Sequence, residues 1–362
     1  MSILESVVIG AGQAGLSASY HLTRLGVDHV VLDADAEAGG AWRHRWDALT
    51  MQDVHGVAEL PGSVPPPRNS ERANMAVPAY FAEYERAHAL PIVRPVRVEQ
   101  VTDDDGILVV HAGERTWSSR TLVNATGTWT QPFMPHYPGM ETFLGEQLHT
   151  VDYPGPEHFR GRRVLVVGGG ASAVQFIGAL APITETLWAT RREPVWITSD
   201  FTPEAGAAAV ALVEQRVAQG LPPQSVVSVT GLMLRAQERE AERRGAYAAR
   251  RPMFSRIEPD GVRWADGAFE RVDVILWATG FRPAISHLAP LHLRSAAGGI
   301  QLDRHGRGTT AVGDPRVQMV GYGPSASTIG ANRAGRTAAR GVQHQLAASG
   351  ALQDTDRAIS LR

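Results

Sequence analysis

The chain contains no cysteine, which excludes disulfides, thiolate metal sites and any dithiol redox centre within it. It also lacks an apolar run of the ~20 residues that span a bilayer. Its N-terminus enters a short apolar run at once, without the shape of a secretory leader. Neither sign of charge dominates: the formal net charge is −2, so composition gives no reason to expect a nucleic-acid or acidic-surface partner. No catalytic triad and no carboxylate pair stands out. What remains is ordinary, with 43% hydrophobic and 20% charged residues, as in a soluble globular protein. A length of 362 residues exceeds one ordinary core, so two domains are expected. The expectation is a soluble, cytoplasmic protein with neither membrane nor nucleic acid as partner.

Against this background, residues 6–15, SVVIGAGQAG, organise the chain. The apolar run Val7-Val8-Ile9 ends in Gly10-x-Gly12-x-x-Gly15. A helical pattern over residues 13–25 follows, with Leu16, Tyr20 and Leu22 toward the core and Gly26 as its stop. Gly10 lets the chain turn sharply out of a strand, Gly12 leaves the backbone open to a pyrophosphate, and Gly15 lets the helix pack close to the strand. The first helical residues, Gln13 and Ala14, then present free N–H groups to the phosphate. Asp33 lies 23 residues after Gly10, at the end of the run His29–Leu32. A carboxylate there can hold the ribose hydroxyls of an adenosine.

Gly39-Gly40-Ala41-Trp42 allows a tight turn near the diphosphate. The run Arg43-His44-Arg45-Trp46-Asp47 reads as phosphate-facing guanidinium and indole groups, or as a surface loop around a packing tryptophan. Residues 61–68, PGSVPPPR, read as a loop or stiff linker. Residues 78–90 read as a short amphipathic helix, with Tyr80, Phe81, Tyr84 and His88 near one face. Residues 96–101, 106–112 and 115–123 alternate as a small antiparallel meander. It ends in Asn124-Ala125-Thr126-Gly127, a small-residue turn that can lie against a cofactor. Further on, Phe143 and Leu148 are expected to be buried. His149 is an orienting donor or, as spacing alone favours, a satisfied structural histidine.

At Arg162 the pattern restarts. Val164-Leu165-Val166-Val167 enters Gly168-x-Gly170-x-x-Ala173, and a helix follows. The paired run, residues 186–190, ends in Arg191-Arg192, and Arg191 follows Gly168 by the same 23 residues that separate Gly10 from Asp33. An acid there selects a ribose 2′-hydroxyl, whereas arginines accept a 2′-phosphate. A helix opened by Pro203 and closed by Gly220, and a charge-dense exposed helix over 235–251 with Glu240 paired to Arg244, read as an insert able to cover a pocket. Residues 263–269 and 272–277 read as strands, and the second enters Ala278-Thr279-Gly280, repeating Ala125-Thr126-Gly127. That is an internal repeat on the scale of a domain. The tail carries a strand at 317–320, then Gly321-Tyr322-Gly323, and a small-residue helix over about 327–346. Its positive N-terminus is expected to return to the first domain.

The acidic first site suits FAD as a resident cofactor, and the basic second site suits NADPH as an exchanging one. The expected fold is α/β, with two dinucleotide-binding Rossmann-like domains, the second inserted in the first, and a small β-meander. The FAD domain comprises 1–155 and 281–362, and the NADPH domain 156–280, with the helical insert at about 200–252. Hydride would pass from nicotinamide to flavin, and the protein's task is to bring the two rings together.

These residues resemble the two-dinucleotide-domain (class B) flavin monooxygenases, which include flavin-containing monooxygenases, Baeyer–Villiger monooxygenases and YUCCA-type enzymes. The resemblance runs from Val7 to about Ala338. Its most specific element is Phe143-x-Gly145-x-x-x-His149-x-x-x-Tyr153, similar to the FxGxxxHxxx(Y/F) signature of the N- and S-oxygenating branch. Tyr153 stands where the Baeyer–Villiger branch usually has tryptophan. Arg45-Trp46-Asp47-Ala48 replaces the usual Arg-Tyr-Pro-Gly, and Ala171-Ser172-Ala173 departs from the usual second fingerprint.

The resemblance implies an NADPH-dependent oxidoreductase in which O2 adds to reduced FAD as a hydroperoxide or peroxide. One oxygen atom then passes to nitrogen, sulfur or a carbonyl of a small-molecule substrate, while retained NADP⁺ and water exclusion protect the adduct. It implies FAD contacts at Gly10, Gly12, Gln13, Ala14, Gly15, Asp33, Ala41, Trp42, Gln52, Thr126, Gly127, Gly321, Tyr322, Thr328 and Ile329. NADPH contacts are implied at Gly168, Gly170, Ala171, Ser172, Ala173, Arg191, Arg192, Ala278, Thr279 and Gly280. His149 and Tyr153 would shape the interdomain site as catalytic candidates, and no metal is expected. The alternatives are a reductase or dehydrogenase passing electrons to a quinone or protein, and a redox-sensing binding protein. Oligomeric state is left open.

Overall fold

A computed structural model describes residues 2–54, 57–197, 203–224, 231–303 and 308–360, with the backbone alone described at 203–210, 328–329 and 350–360. Val7, Val8 and Ile9 are all buried, as the central strand of a parallel sheet must be. They form β1 (Leu4–Ile9), which α1 (Gln13–Arg24) follows. β2 (His29–Leu32) pairs parallel with β1, Ser6 opposite His29. After α2 (Ala73–Ala87), the two-residue β3 (Ile92–Val93) adds parallel to β2. β4 (Gln100–Asp104), β5 (Ile107–Ala112) and β6 (Arg115–Asn124) form the antiparallel meander. β6 is long enough to enter both arrangements: Arg115–Ser119 pair with β5, while its C-terminal half runs parallel to β1.

The chain then crosses to a second, all-parallel sheet. It contains β7 (Glu146–His149), β8 (Val164–Val167) and, after α3 (Ala171–Leu180), β9 (Thr186–Thr190). The insert follows with α4 (Pro203–Ala218) and α5 (Ala236–Arg243). β10 (Arg250–Pro252) joins the sheet edge beside β9. β11 (Arg256–Glu258), β12 (Gly261–Arg263) and β13 (Phe269–Arg271) make a small antiparallel sheet, and β14 (Val274–Trp277) completes the order β10-β9-β8-β14-β7. The chain returns through β15 (Val317–Met319), parallel to the end of β6, and closes with α6 (Thr328–Ser360). Each parallel sheet is thus an α/β unit with apolar clusters on both faces. α6 lies on α1: Ser17 Oγ donates to the Asn332 carbonyl at 3.0 Å, and a Cβ on Gly335 would meet Ala18 N at 2.7 Å.

Several sequence expectations are corrected. The division expected at 155/156 falls after β7, yet β7 pairs with β14, Glu146 opposite Val274, so the second sheet begins ten residues earlier. Four residues are too few to show a strand pattern on their own. α2 starts at Ala73, not at 78. Pro78 sits inside it, buried, because Gly39 leaves room for its ring: a Cβ there would lie 2.8 Å from Pro78 Cγ. The first meander strand is 100–104 rather than 96–101, since Val96 N–H is taken by the Asp33 carbonyl at 2.7 Å. The helix expected over 235–251 ends at Arg243, and its expected tail becomes β10 against the open edge of β9. Nor is it wholly exposed, because Glu238 and Ala241 are buried. Within 263–269 lies the turn between β12 and β13. Phe143 and Leu148 are only half-buried. The insert does not stay with its own unit: Val217 of α4 packs into the core beside β1 and β15, against Gly323. The last helix runs on beyond 346 to Ser360.

Candidate functional site

The first glycine turn is built by contact and by its omission. Gly10 has φ +99°, and a Cβ there would lie 2.6 Å from the Ala125 carbonyl oxygen. A Cβ on Gly15 would overlap the Gly10 carbonyl oxygen. Gly12 differs: its φ of −76° suits any residue, and an added Cβ would meet nothing within 4 Å. The space above Gly12 is therefore free, and the turn Gly40–Trp42 borders it, with a Gly40 Cβ position 3.0 Å from Gly12 Cα. Gln13 is buried and donates to the Ala58 carbonyl at 2.9 Å. Asp33, 6% exposed, pairs with Arg94 at 3.1 Å, and Arg94 is gripped by both oxygens of Glu85 at 2.7 Å. Two carboxylates on one guanidinium leave the strand end net negative.

The second turn repeats the plan. A Cβ on Gly168 would overlap the Ala278 carbonyl oxygen, Gly170 faces open space, and Ala173 is fully buried where the third glycine stood. Ala171 and Ser172 begin α3, half-buried. Arg191 and Arg192 are exposed, and neither forms an ion pair with a described residue. Arg250 of β10 steadies their strand end, donating to Thr190 Oγ1 at 3.0 Å and pairing with Glu193.

The two Ala-Thr-Gly turns meet. Thr126 Oγ1 donates to the Ala284 carbonyl at 2.6 Å, and Thr279 Oγ1 donates to that of Phe133. Ala284 N–H donates to the Gly127 carbonyl and Phe133 N–H to that of Gly280, each at 2.9 Å. Trp129 stacks on Phe281 with centroids 5.1 Å apart. Each threonine thus ties its own turn to the crossing segment of the other, and an added Cβ at Gly127 or Gly280 would meet nothing within 4 Å.

His149 is buried at the end of β7. Its Nε2 lies 3.0 Å from the Gly280 carbonyl, which fixes Nε2 as the donor, and Nδ1 accepts Val151 N–H at 3.4 Å. Burial lowers its pKa, so the ring is neutral and orients the Gly280 turn. The Tyr153 ring stacks on Phe176 and Phe159, at 4.3 and 5.5 Å. Its hydroxyl is buried without a hydrogen-bond partner among the described residues, and burial pushes its pKa up.

The remaining expected residues divide. Ala41 and Trp42 occupy the turn beside Gly12. A Cβ on Gly321 would lie 3.7 Å from Gly127 Cα and 3.8 Å from Ala14 Cβ. Gln52 is exposed on its loop. Tyr322 is turned into the core, where its hydroxyl accepts Ile300 N–H at 2.8 Å, and Ser325 engages its backbone, Oγ accepting Tyr322 N–H at 3.1 Å and donating to the Tyr322 carbonyl at 2.8 Å. The side chains of Thr328 and Ile329 lie outside the described residues. Sequence reasoning missed Glu85, Arg94 and Arg250: the last two sit on or beside strands of two and three residues that take shape only against a neighbour.

Among the described residues no cluster of side chains could hold a metal ion, and no helix is long and apolar enough to cross a membrane. Two parallel α/β units, each opening at a glycine turn onto unfilled space, one acidic and one basic at the partner strand, define a two-nucleotide oxidoreductase. The chain belongs to the pyridine nucleotide-disulphide oxidoreductase family, whose profile matches residues 7–205. A flavin-containing monooxygenase from Stenotrophomonas maltophilia superposes with a TM-score of 0.81 at 37% identity, covering 95% of this chain and 99% of that one. The uncharacterized oxidoreductase CzcO of Bacillus velezensis is 28% identical over 193 residues, 53% of this chain and 56% of its own. The indole-3-pyruvate monooxygenase YUCCA1 of Oryza sativa subsp. japonica is 33% identical over 176 residues, 47% of this chain and 43% of its own. The chain spans about half the length of the curated relatives it matches. With no cysteine, it carries no disulphide chemistry of its own.

Proposed function

We propose that the protein is an FAD- and NADPH-dependent monooxygenase that inserts one atom of O2 into a nitrogen, sulfur or carbonyl centre of a small organic molecule in the cytoplasm. The observation that carries this reading is the pair of open glycine turns with unlike strand ends: Gly12 with the Asp33–Arg94–Glu85 group, and Gly170 with Arg191 and Arg192. Similarity over nearly the whole chain to the Stenotrophomonas maltophilia flavin-containing monooxygenase supports it. Bound FAD supplies the redox centre and NADPH the hydride that reduces it. The chain's own part is placement. Backbone N–H groups at the starts of α1 and α3 face the two diphosphates. Arg191 and Arg192 hold a 2′-phosphate by charge-assisted hydrogen bonds. His149 keeps the Gly280 turn in register, and Trp46, Tyr153 and Phe176 keep the junction between the units dry. The FAD unit comprises residues 1–145 and 281–360, and the NADPH unit 146–280.

The test is NADPH oxidation by FAD-loaded protein under ¹⁸O2, with amines, thioethers, ketones and 2-oxo acids supplied in turn. One labelled oxygen per product, with faster NADPH use, supports a monooxygenase. NADPH oxidation that yields only hydrogen peroxide, or that needs a quinone, points to a reductase instead. Protein that takes up no flavin sinks both.

A further inference from the structure

Arg45 follows the Gly40–Trp42 turn that rests on Gly12. The next residue, Trp46, packs on Tyr153 at 5.6 Å and on Phe176 of α3 at 5.2 Å, so this short run bridges both nucleotide units. The Arg45 guanidinium lies over the Trp129 ring, 4.2 Å from its centroid, and 5.7 Å from that of Trp42. Trp129 in turn stacks on Phe281 at the crossing of the two units. The Arg45 Nε is sealed from solvent, and the side chain makes no hydrogen bond or ion pair with a described residue. Its chain neighbours already have partners: Arg43 pairs with Glu37 at 2.5 Å, and His44 Nε2 donates to Asp35 at 3.0 Å. Burial pushes Arg45 down to about 10. Such a cation is costly unless an anion joins it. Stacking occupies the guanidinium face and leaves the in-plane N–H groups free to donate.

We infer that Arg45 clamps the diphosphate of a dinucleotide at the junction of the two units. The inference rests on the two-nucleotide reading above, and both FAD and NADPH carry the required group.

The test uses the full chain with Arg45→Met and Arg45→Lys, without turnover. FAD affinity is measured by reconstituting the apoprotein, and NADP⁺ affinity by perturbation of the flavin spectrum. Adenosine 2′-monophosphate, which has the 2′-phosphate and no diphosphate, is the control. Arg45→Met is expected to raise one dinucleotide Kd by roughly tenfold or more, Arg45→Lys by less, and the control by under about twofold. Loss confined to NADP⁺ assigns the clamp to the exchanging nucleotide, and loss confined to FAD assigns it to the resident one. Without nucleotide, Arg45→Met is expected to melt at or above the parent, because a half-buried charge with no partner among the described residues is gone, while the nucleotide-induced rise in Tm shrinks. Two unchanged Kd values overturn the inference. So does an Arg45→Met apoprotein that melts lower and loses control and dinucleotides alike, which marks a structural role. Parent protein that takes up neither dinucleotide overturns both readings, whereas parent binding with unchanged variant affinities overturns only this one.

Discussion

The Cβ that Gly15 lacks would overlap the carbonyl oxygen of Gly10, so α1 and β1 touch where only glycine fits. Gly12, between them, has no neighbour within 4 Å of its missing Cβ. The two glycines therefore answer to different demands, one to packing and one to a ligand. Gly15→Ala is expected to destabilise the nucleotide-free protein by about 1–3 kcal/mol or more, as overpacking does. Gly12→Ala is expected to stay within roughly 0.5 kcal/mol of the parent and to lose flavin uptake. Urea unfolding and flavin absorbance separate the two. Equal destabilisation by both would remove Gly12 from the ligand space, and Gly170→Ala should repeat the Gly12 behaviour for NADPH alone.

The buried hydroxyl of Tyr153 has no partner among the described residues, and its ring is held by Phe176, Phe159 and Trp46. An unsatisfied buried hydroxyl costs about 1–3 kcal/mol. Tyr153→Phe keeps the stack and deletes the cost, so the variant is expected to be as stable as the parent or more so, with unchanged kcat. A drop in kcat beyond about tenfold, about 1.4 kcal/mol of transition-state stabilisation, would show that the hydroxyl acts on substrate and that aromatic packing is not its main role.

Devices made by neighbouring residues were legible in the sequence, and devices made by distant partners were not. The spacing of Gly10, Gly12 and Gly15 is a local backbone instruction, and so is that of Gly168, Gly170 and Ala173; both turns formed where expected. The repeated Ala-Thr-Gly was visible, but its reason was not. Thr126 and Thr279 reach carbonyls 158 and 146 residues away, which no local pattern announces. Asp33 was readable as an acid at a strand end, while Arg94, 61 residues on, was not readable as its partner. β10 exists because β9 offers an unpaired edge, and the composition of Arg250–Pro252 alone says nothing of a strand. Tyr322 sits beside small residues that suit a cofactor, yet the pull of Ile300 N–H and the core turned its side chain inward.

His287 is buried, and its Nε2 donates to Asn124 Oδ1 at 2.7 Å. Burial holds it down to about 4, well below the 6.5 of an exposed histidine. The unfolded chain therefore takes up a proton in that window while the native state does not. Stability is complete above pH 6.5 and falls as pH drops toward 4. The expected loss from this group is about 2 kcal/mol between pH 7 and pH 5. Urea unfolding at both pH values, with His287→Gln as a donor that does not titrate, should show a smaller loss in the variant. Identical losses would mean that other groups carry the acid sensitivity.

Arg191 and Arg192 follow β9, exposed and without acidic partners among the described residues, while Glu193 beside them is occupied by Arg250. The carboxylate next in the chain is thus already paired, and the two exposed guanidinium groups form no ion pair with a described residue. A 2′-phosphate would gain charge-assisted hydrogen bonds from both, and a ribose 2′-hydroxyl would gain neither charge term. Replacing both by alanine is therefore expected to raise KM for NADPH by roughly tenfold or more and to change KM for NADH by less than about threefold. Because the site is exposed, added salt should narrow the parent's preference for NADPH and leave the double variant's preference nearly flat. Steady-state kinetics with both nucleotides at two ionic strengths decide the matter. Equal increases in KM for the two nucleotides would separate this strand end from 2′-phosphate recognition and move the selectivity to Arg250 or to another cation.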